Sequence, residues 1–257
     1  MKRVHLIAIV IASMFFHSFV ANGAEKFEEN RSIKDFNSIS LSISAEVYLS
    51  QRDKFSVQII SNSDDIIKEI KTTVSKGTLK IFVENPSRLW KQSGLQIKIF
   101  ITMPDIEKLN IAGSGTIRAK KIVSDNISLS VAGSGCIWIN DLTTEIVETR
   151  VAGSGIITFE NLSAKILSAN VAGSGIIKMA SDKIIDDCTL SVAGSGIIKA
   201  KNLKAHAATA TVTGSGYIGI DVSQQLTAKV TGSGVIRYSG KPNINSKITG
   251  SGSISKY

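Results

Sequence analysis

Cysteine, histidine and carboxylate are all scarce in this 257-residue chain, and each shortage removes a class of chemistry. The two cysteines, Cys136 and Cys188, fall at different points of an internal repeat and more than two repeats apart. Stacked repeats would hold them about 10 Å apart, beyond bridging distance, so both read as small apolar side chains and not as a redox pair. His5 and His17 lie near the N-terminus, which leaves His206 alone in the rest of the chain. In "KAHAATA" it has no cysteine or carboxylate at ligand spacing, so a metal site or a Ser-His-Asp relay lacks material and no cofactor is implied. Only nine acidic residues lie between Ile111 and Tyr257. The adjacent pairs Asp64–Asp65 and Asp186–Asp187 point to opposite faces of a strand, so neither makes the facing arrangement a glycosidase needs. Carboxylates contributed by different coils would be required for a polysaccharide-active enzyme, the least favoured of the functional readings.

Long apolar runs are equally rare. The single one, Val4 to Val20, follows Lys2 and Arg3 and gives way to small residues up to Ala24, the layout of a secretory signal peptide. Residues 1–24 are therefore expected to be removed on export, with no transmembrane segment in the remaining chain. No cysteine lies near the cleavage point to take a lipid anchor. The expected location is the periplasm, the outer-membrane surface or the extracellular space.

Acid is outweighed by base, 30 Lys and Arg against 21 Asp and Glu; without Lys2 and Arg3 the balance is 28 against 21, a net charge of +7. Such a balance favours polyanionic partners, an acidic glycan or another envelope component. Nucleic acid does not fit an exported chain whose basic residues are spread singly, without interleaved aromatics.

What the chain does have is a repeat. A GSG step begins at Gly113, Gly133, Gly153, Gly173, Gly194, Gly214, Gly232 and Gly250, at spacings of 18 to 21 residues, the period of a solenoid. Two residues before each step stands Val or Ile, and four residues after it always Ile, from Ile117 to Ile254. Even offsets are apolar and odd offsets mostly polar, which is strand alternation. Stacking in register puts Val on Val and Ile on Ile, so the fold expected is all-β, a right-handed parallel β-helix of about eight coils and roughly 38 Å. By the same alternation both glycines of the step are expected to face inward. The "GSGYIG" of Gly214, Gly216 and Gly219 matches the glycines of a dinucleotide site, but its seven siblings lack the third glycine and no helix follows.

Residues 25–108 differ. "SISLSISAEVYLSQ", "KFSVQIIS" and "LQIKIFITM" read as strands, "SDDIIKEI" as one helical turn capped by Ser63, and "VSKGTLKIFVEN" as a hairpin turning at Lys76 and Gly77. The expected division is residues 1–24 as leader, 25–108 as strands and a cap continuous with the solenoid, and 109–257 as the GSG-repeat β-helix.

Two outward surfaces stand out. Around the step run Ala152, Ser154, Ile156 and their equivalents Ala172, Ser174, Ile176 and Ala193, Ser195, Ile197, a flat stripe suited to a partner, a second copy of the chain or an overlying N-terminal segment. Five residues after the step stand Arg118, Trp138, Lys178, Lys199 and Arg237, a row of cations with one aromatic, suited to an acidic glycan or serving as ordinary solvated charge. A homo-oligomer through the stripe or the solenoid end is a further expectation.

The segments "FNSISLSISAEVYLSQ", "KGTLKIFVEN", "IKIFITMPDIEKLNIAGSG" and the GSG steps, over residues 33 to 257, resemble the secreted bacterial auto-transporter adhesins with a head GIN domain. The resemblance implies a β-helical fold, export and an adhesin role, and it supplies no catalytic residues. The last repeat is not followed by the amphipathic strands of a membrane barrel, so the expectation is a periplasmic or accessory-dependent surface protein rather than a self-transporter. Taken together, the sequence predicts a non-catalytic binding or structural module at the cell envelope, in adhesion or glycan contact. Self-assembly into an envelope structure is the alternative.

Overall fold

The computed structural model describes residues 26–85, 87 and 94–257, and the expected leader, residues 1–24, lies outside them. The N-terminal part comprises β1 (Phe27–Arg31), β2 (Ser38–Leu41), β3 (Glu46–Gln51), β4 (Ser56–Ser61), the helix α1 (Asp64–Glu69), β5 (Ile70–Ser75), β6 (Thr78–Val83) and β7 (Ile97–Met103). The repeats form β8 (Lys108–Gly113), β9 (Thr116–Val123), β10 (Asn126–Gly133), β11 (Cys136–Thr143), β12 (Ile146–Gly153), β13 (Ile156–Ser163), β14 (Ile166–Gly173) and β15 (Ile176–Ala180). They continue through β16 (Ile185–Gly194), β17 (Ile197–Gly214), β18 (Tyr217–Gly232), β19 (Val235–Gly240), β20 (Asn243–Thr249) and β21 (Ser253–Lys256).

Each GSG step is a corner between two walls. Strands that end at a corner, β8, β10, β12, β14 and β16, pair in parallel with one another, and strands that leave it, β9, β11, β13, β15 and the start of β17, pair in the other wall. Register is residue on residue: Val131 faces Ile111 and Val151, and Ile137 faces Ile117 and Ile157. These side chains are almost wholly buried and form one continuous core. Burial of each contributes about 1.5–3 kcal/mol, and the unit repeats until the stack is stable. Eight stacked corners enclose seven full turns, one fewer than the expected eight coils.

The two glycines of a step do different work, which corrects the expectation that both face inward. The first has φ between +110° and +126° in all eight steps. From the second step onward, a Cβ there would lie 2.6–2.8 Å from the carbonyl oxygen of the same glycine one coil earlier. Up to Gly214 that carbonyl accepts a hydrogen bond from the next coil's serine, as in Ser134 N–H to Gly113 at 3.0 Å, and the Gly232 carbonyl accepts from Gly252 N–H instead, so a rail of backbone bonds runs up the corner. Only the second glycine is an inward position. At Gly155 a Cβ would meet Cγ1 of Val131, one coil earlier, at 2.4 Å. The alternation breaks at the first glycine because a left-handed residue turns the chain through the corner.

The cap is built out of chain order. β2 pairs with β6 on one side and β8 on the other, and β3 with β7 and β9, all in parallel. Residues 38–51 are thus a coil of the stack, with Leu41 under Ile111 and Val47 under Ile117, lacking only the glycines. The segment from β4 to β7 is inserted outside it. There β5 runs antiparallel to β6, β4 to β7 and β1 to β4, which closes both walls. The β5–β6 hairpin turns at Lys76 and Gly77, φ +51° and +70°, as the sequence predicts. In α1, Ile66 and Ile67 are buried over the end of the core. Ser63 takes the N-cap position without a side-chain hydrogen bond, whereas the Arg31 guanidinium donates to the Ile67 and Ile70 carbonyls at its C-terminal end.

Candidate functional site

The row five residues after the step is an outward row of the second wall, and strand pairing makes it continuous. Arg118 faces Trp138, Trp138 faces Thr158, Thr158 faces Lys178, Lys178 faces Lys199, Lys199 faces Gly219 and Gly219 faces Arg237. All five sequence-predicted residues therefore lie on one line. Lys178, Lys199 and Arg237 are exposed and make no ion pair among the described residues.

The line runs on into the cap, which sequence reading missed. Tyr48 faces Arg118 on one side and Phe100 on the other. The Tyr48 and Phe100 rings stack with centroids 5.1 Å apart at 13°. Arg118 sits between Tyr48 and Trp138, its guanidinium carbon 5.2 Å from the Trp138 ring centroid. Two carboxylates fix this group: Glu46 accepts from Arg118 Nε at 3.3 Å and from the Tyr48 hydroxyl at 2.8 Å, and Glu160 accepts from Trp138 Nε1 at 3.2 Å. The bond to Glu46, with burial second, raises the Tyr48 pKa above its usual value. Arg118 is therefore not a free cation, which corrects its assignment as one more charge in the row.

Beside these rings lies an open cleft of about 690 Å³. Its walls carry Tyr48, Arg118 and Trp138, and its rim Arg52, Lys120 and Lys121, all exposed and without an ion pair among the described residues. Trp138 and Phe100 remain 40% and 39% exposed, values that mark them as surface aromatics and not core.

At the other end of the row the gap at Gly219 is occupied. A Cβ there would lie 2.2 Å from the Tyr257 hydroxyl and 2.8 Å from that of Tyr217. The two hydroxyls are 2.5 Å apart, and Lys201 Nζ lies 4.5 Å from the Tyr257 ring centroid. Burial, then the bond to Tyr217, pushes Tyr257 up to about 12. Gly219 is buried as a result, so the cation row is divided between Lys199 and Arg237.

Among the described residues nothing covers the flat stripe around the step: Ala152, Ser154, Ala172, Ser174, Ala193 and Ser195 are exposed, and Ile156, Ile176 and Ile197 half-buried. His206 Nδ1 lies 3.3 Å from the Ser223 hydroxyl, which itself donates to the Ala205 carbonyl, so no carboxylate completes a relay there. Among the described residues no group of three or more His, Cys, Asp or Glu is placed to hold a metal ion. A second cleft, about 800 Å³, gathers Asp105, Glu107, Asp125 and Glu148, acidic groups that sequence spacing did not bring together. Among the described residues no helix is long and apolar enough to cross a membrane. Cys136 and Cys188 are both free.

A family model described as "Putative auto-transporter adhesin, head GIN domain" matches residues 35–196 and 139–242. No curated protein matches the chain. Among solved structures, one described as a putative lipid binding protein from Parabacteroides distasonis is 29% identical, with a TM-score of 0.82 over 90% of this chain and 96% of that one. Two described as putative adhesins share the fold. The Parabacteroides merdae structure is 17% identical with a TM-score of 0.83 over 91% and 96% of the two chains. That from Parabacteroides distasonis is 19% identical with a TM-score of 0.84 over 91% and 98%.

Proposed function

The chain belongs to the auto-transporter adhesin, head GIN domain family, and from that membership we propose an exported, non-catalytic binding module of the bacterial cell envelope that holds acidic glycans against its second wall. The observation that carries this reading is the unbroken residue-on-residue line from Phe100 and Tyr48 through Arg118 and Trp138 to Lys178 and Lys199. Aromatic rings offer a flat platform for the C–H face of a sugar, and the lysines, spaced by the strand repeat of about 4.8 Å, match charge along an extended polyanion. The net charge of +7 without Lys2 and Arg3 favours the same class of partner.

The test is binding of residues 25–257 to an array of neutral and acidic glycans at two salt concentrations. Salt-sensitive binding to long acidic glycans, chains that span the whole row, that weakens in a Lys178→Gln, Lys199→Gln, Arg237→Gln triple variant supports the reading. Binding to no glycan sinks it.

A second reading rests on a separate row. Two residues closer to the step, Cys136, Ile156, Ile176, Ile197, Tyr217 and Val235 form an apolar line beside the cations. An apolar row flanked by lysine suits a surface of anionic lipid, and the Parabacteroides distasonis structure at 29% identity is described as lipid binding. Sedimentation with vesicles containing or lacking anionic lipid separates this reading from the first.

A further inference from the structure

We propose that the cleft beside Trp138 is a discrete subsite for one negatively charged sugar ring of a uronic acid type, stacked on Trp138 with its carboxylate held by Arg52, Lys120 and Lys121. The inference rests on the glycan reading and narrows it to one end of the wall. Three observations carry it.

The first is charge. The residues lining the cleft include four cations, Arg52, Arg118, Lys120 and Lys121, against one carboxylate, Glu160. Glu46 pairs with Arg118, and Glu160, though it accepts from the Trp138 indole, keeps its charge, so three unpaired cations face one carboxylate and the cleft keeps an excess of positive charge for a ligand. The same positions one coil later are Asn140 and Asp141, and two coils later Glu160 and Asn161, so the lysine pair is confined to this coil. Asp141 faces Lys121 along the stack but bonds to Asn161, at 3.4 Å.

The second is the state of the aromatic. Trp138 is held from two sides, by Arg118 over the ring and by Glu160 at the indole nitrogen, yet 40% of it stays exposed. Its neighbour in the following coil is the small Thr158. A pinned, exposed ring binds with little ordering cost, which is the arrangement expected of a ligand platform.

The third is shape. Lys120 and Lys121 are consecutive and both exposed, where the inward-outward alternation of β9 breaks and strand pairing skips Lys120. The break in alternation places two cations side by side at the rim where regular alternation would offer one. Gln51, next to Arg52, ties the two strands at this rim, donating to the Pro104 and Val123 carbonyls and accepting from Val123 N–H. At about 690 Å³ the cleft falls within the usual range of roughly 300–1,000 Å³ for small-ligand sites.

The experiment is isothermal titration of residues 25–257 with a short oligogalacturonate and with its neutral oligogalactose counterpart. The acidic oligomer is expected to bind about tenfold or more tighter than the neutral one. Trp138→Ala and the double variant Lys120→Gln, Lys121→Gln should each lose roughly tenfold, while Lys178→Gln with Lys199→Gln loses under about threefold. The lysines are exposed, so the double variant keeps the fold and tests the site even if Trp138→Ala does not. If the distal pair abolishes binding and the proximal variants bind as wild type, the subsite is wrong and the wider glycan reading stands. No binding of either oligomer, with anionic vesicles bound instead, overturns both.

Discussion

Tyr48 stands directly against Arg118 in the stack, although 70 residues separate them in the chain. The contact joins the cap to the repeat through one aromatic and cationic line, shared between Glu46, Tyr48, Arg118 and Trp138. The proposed binding surface and the structural splice coincide there, since the coil of residues 38–51 is where the chain leaves the stack and later rejoins it.

The corner glycines should differ in tolerance according to what lies beneath them. Gly153→Ala places a Cβ 2.7 Å from the Gly133 carbonyl oxygen and forces a left-handed alanine, a loss of about 3 kcal/mol. Gly113, at φ +126°, has open space for 4 Å around the point a Cβ would occupy, so Gly113→Ala should lose only about 1 kcal/mol. Urea unfolding of both variants checks this, and equal losses would show that the stacked carbonyl is not the determinant.

The second glycine of the step is tied to a specific partner. A Cβ at Gly175 meets Cγ1 of Val151 at 2.4 Å. Gly175→Ala and Val151→Ala should each destabilise by about 2 kcal/mol, one by overpacking and one by a cavity. Their combination should fall short of the sum by about 1 kcal/mol, with the Gly155 carbonyl at 2.9 Å limiting the relief. A purely additive cycle would refute the pairing.

Much of this was legible in the sequence, and the failures have physical causes. Val131, Ile137 and their equivalents announce the stack because a parallel ladder repeats its own residues. The row from Arg118 to Arg237 was legible for the same reason. Tyr48 and Phe100 were not, because "SLSISAEVYL" joins the stack without glycines: Ile43 and Ala45 stand where the step would be, and residues 52–107 intervene. Alternation also misplaced the first glycine, since a period of two has no way to register a change of φ sign. Gly219 read as a chance glycine; its role appears only when Tyr257 is seen to lie over it.

The two cysteines should react in sequence. Burial, with Asp187 nearby second, pushes the Cys188 thiol far above its usual range, so it carries almost no thiolate at pH 8. Cys136 is half-buried and lies in an outward row. One equivalent of iodoacetamide adduct is expected at Cys136 in the native protein and a second only after denaturation. Early labelling of Cys188 would contradict its burial.

Tyr257 should make stability depend on alkaline pH. Its pKa is raised from 10.0 to about 12, so the folded state holds its proton more tightly than the unfolded state does. The contribution is complete below pH 10 and is lost as pH rises from there through about 12. Tyr257→Phe removes the bond to Tyr217 and should flatten that loss. Thermal unfolding from pH 8 to 11 reads it, and an unchanged slope would place the effect elsewhere.

Glu46 gives the sharpest test of how the aromatic line is tuned. It neutralises Arg118 and holds the Tyr48 hydroxyl, so Glu46→Gln should act in two ways at once. The Tyr48 pKa should fall back toward 10.0, because the bond to a charged carboxylate is the largest cause of its rise. Arg118 should become available to anions, and binding of an acidic oligosaccharide should strengthen by roughly threefold at low salt and by less at high salt. Tyrosine absorbance titration and calorimetry measure the two effects separately. A shifted tyrosine with unchanged or weakened binding would mean that Arg118 only spaces the rings and takes no part in recognition. Tighter binding with an unmoved tyrosine would mean that Glu46 acts on Arg118 alone.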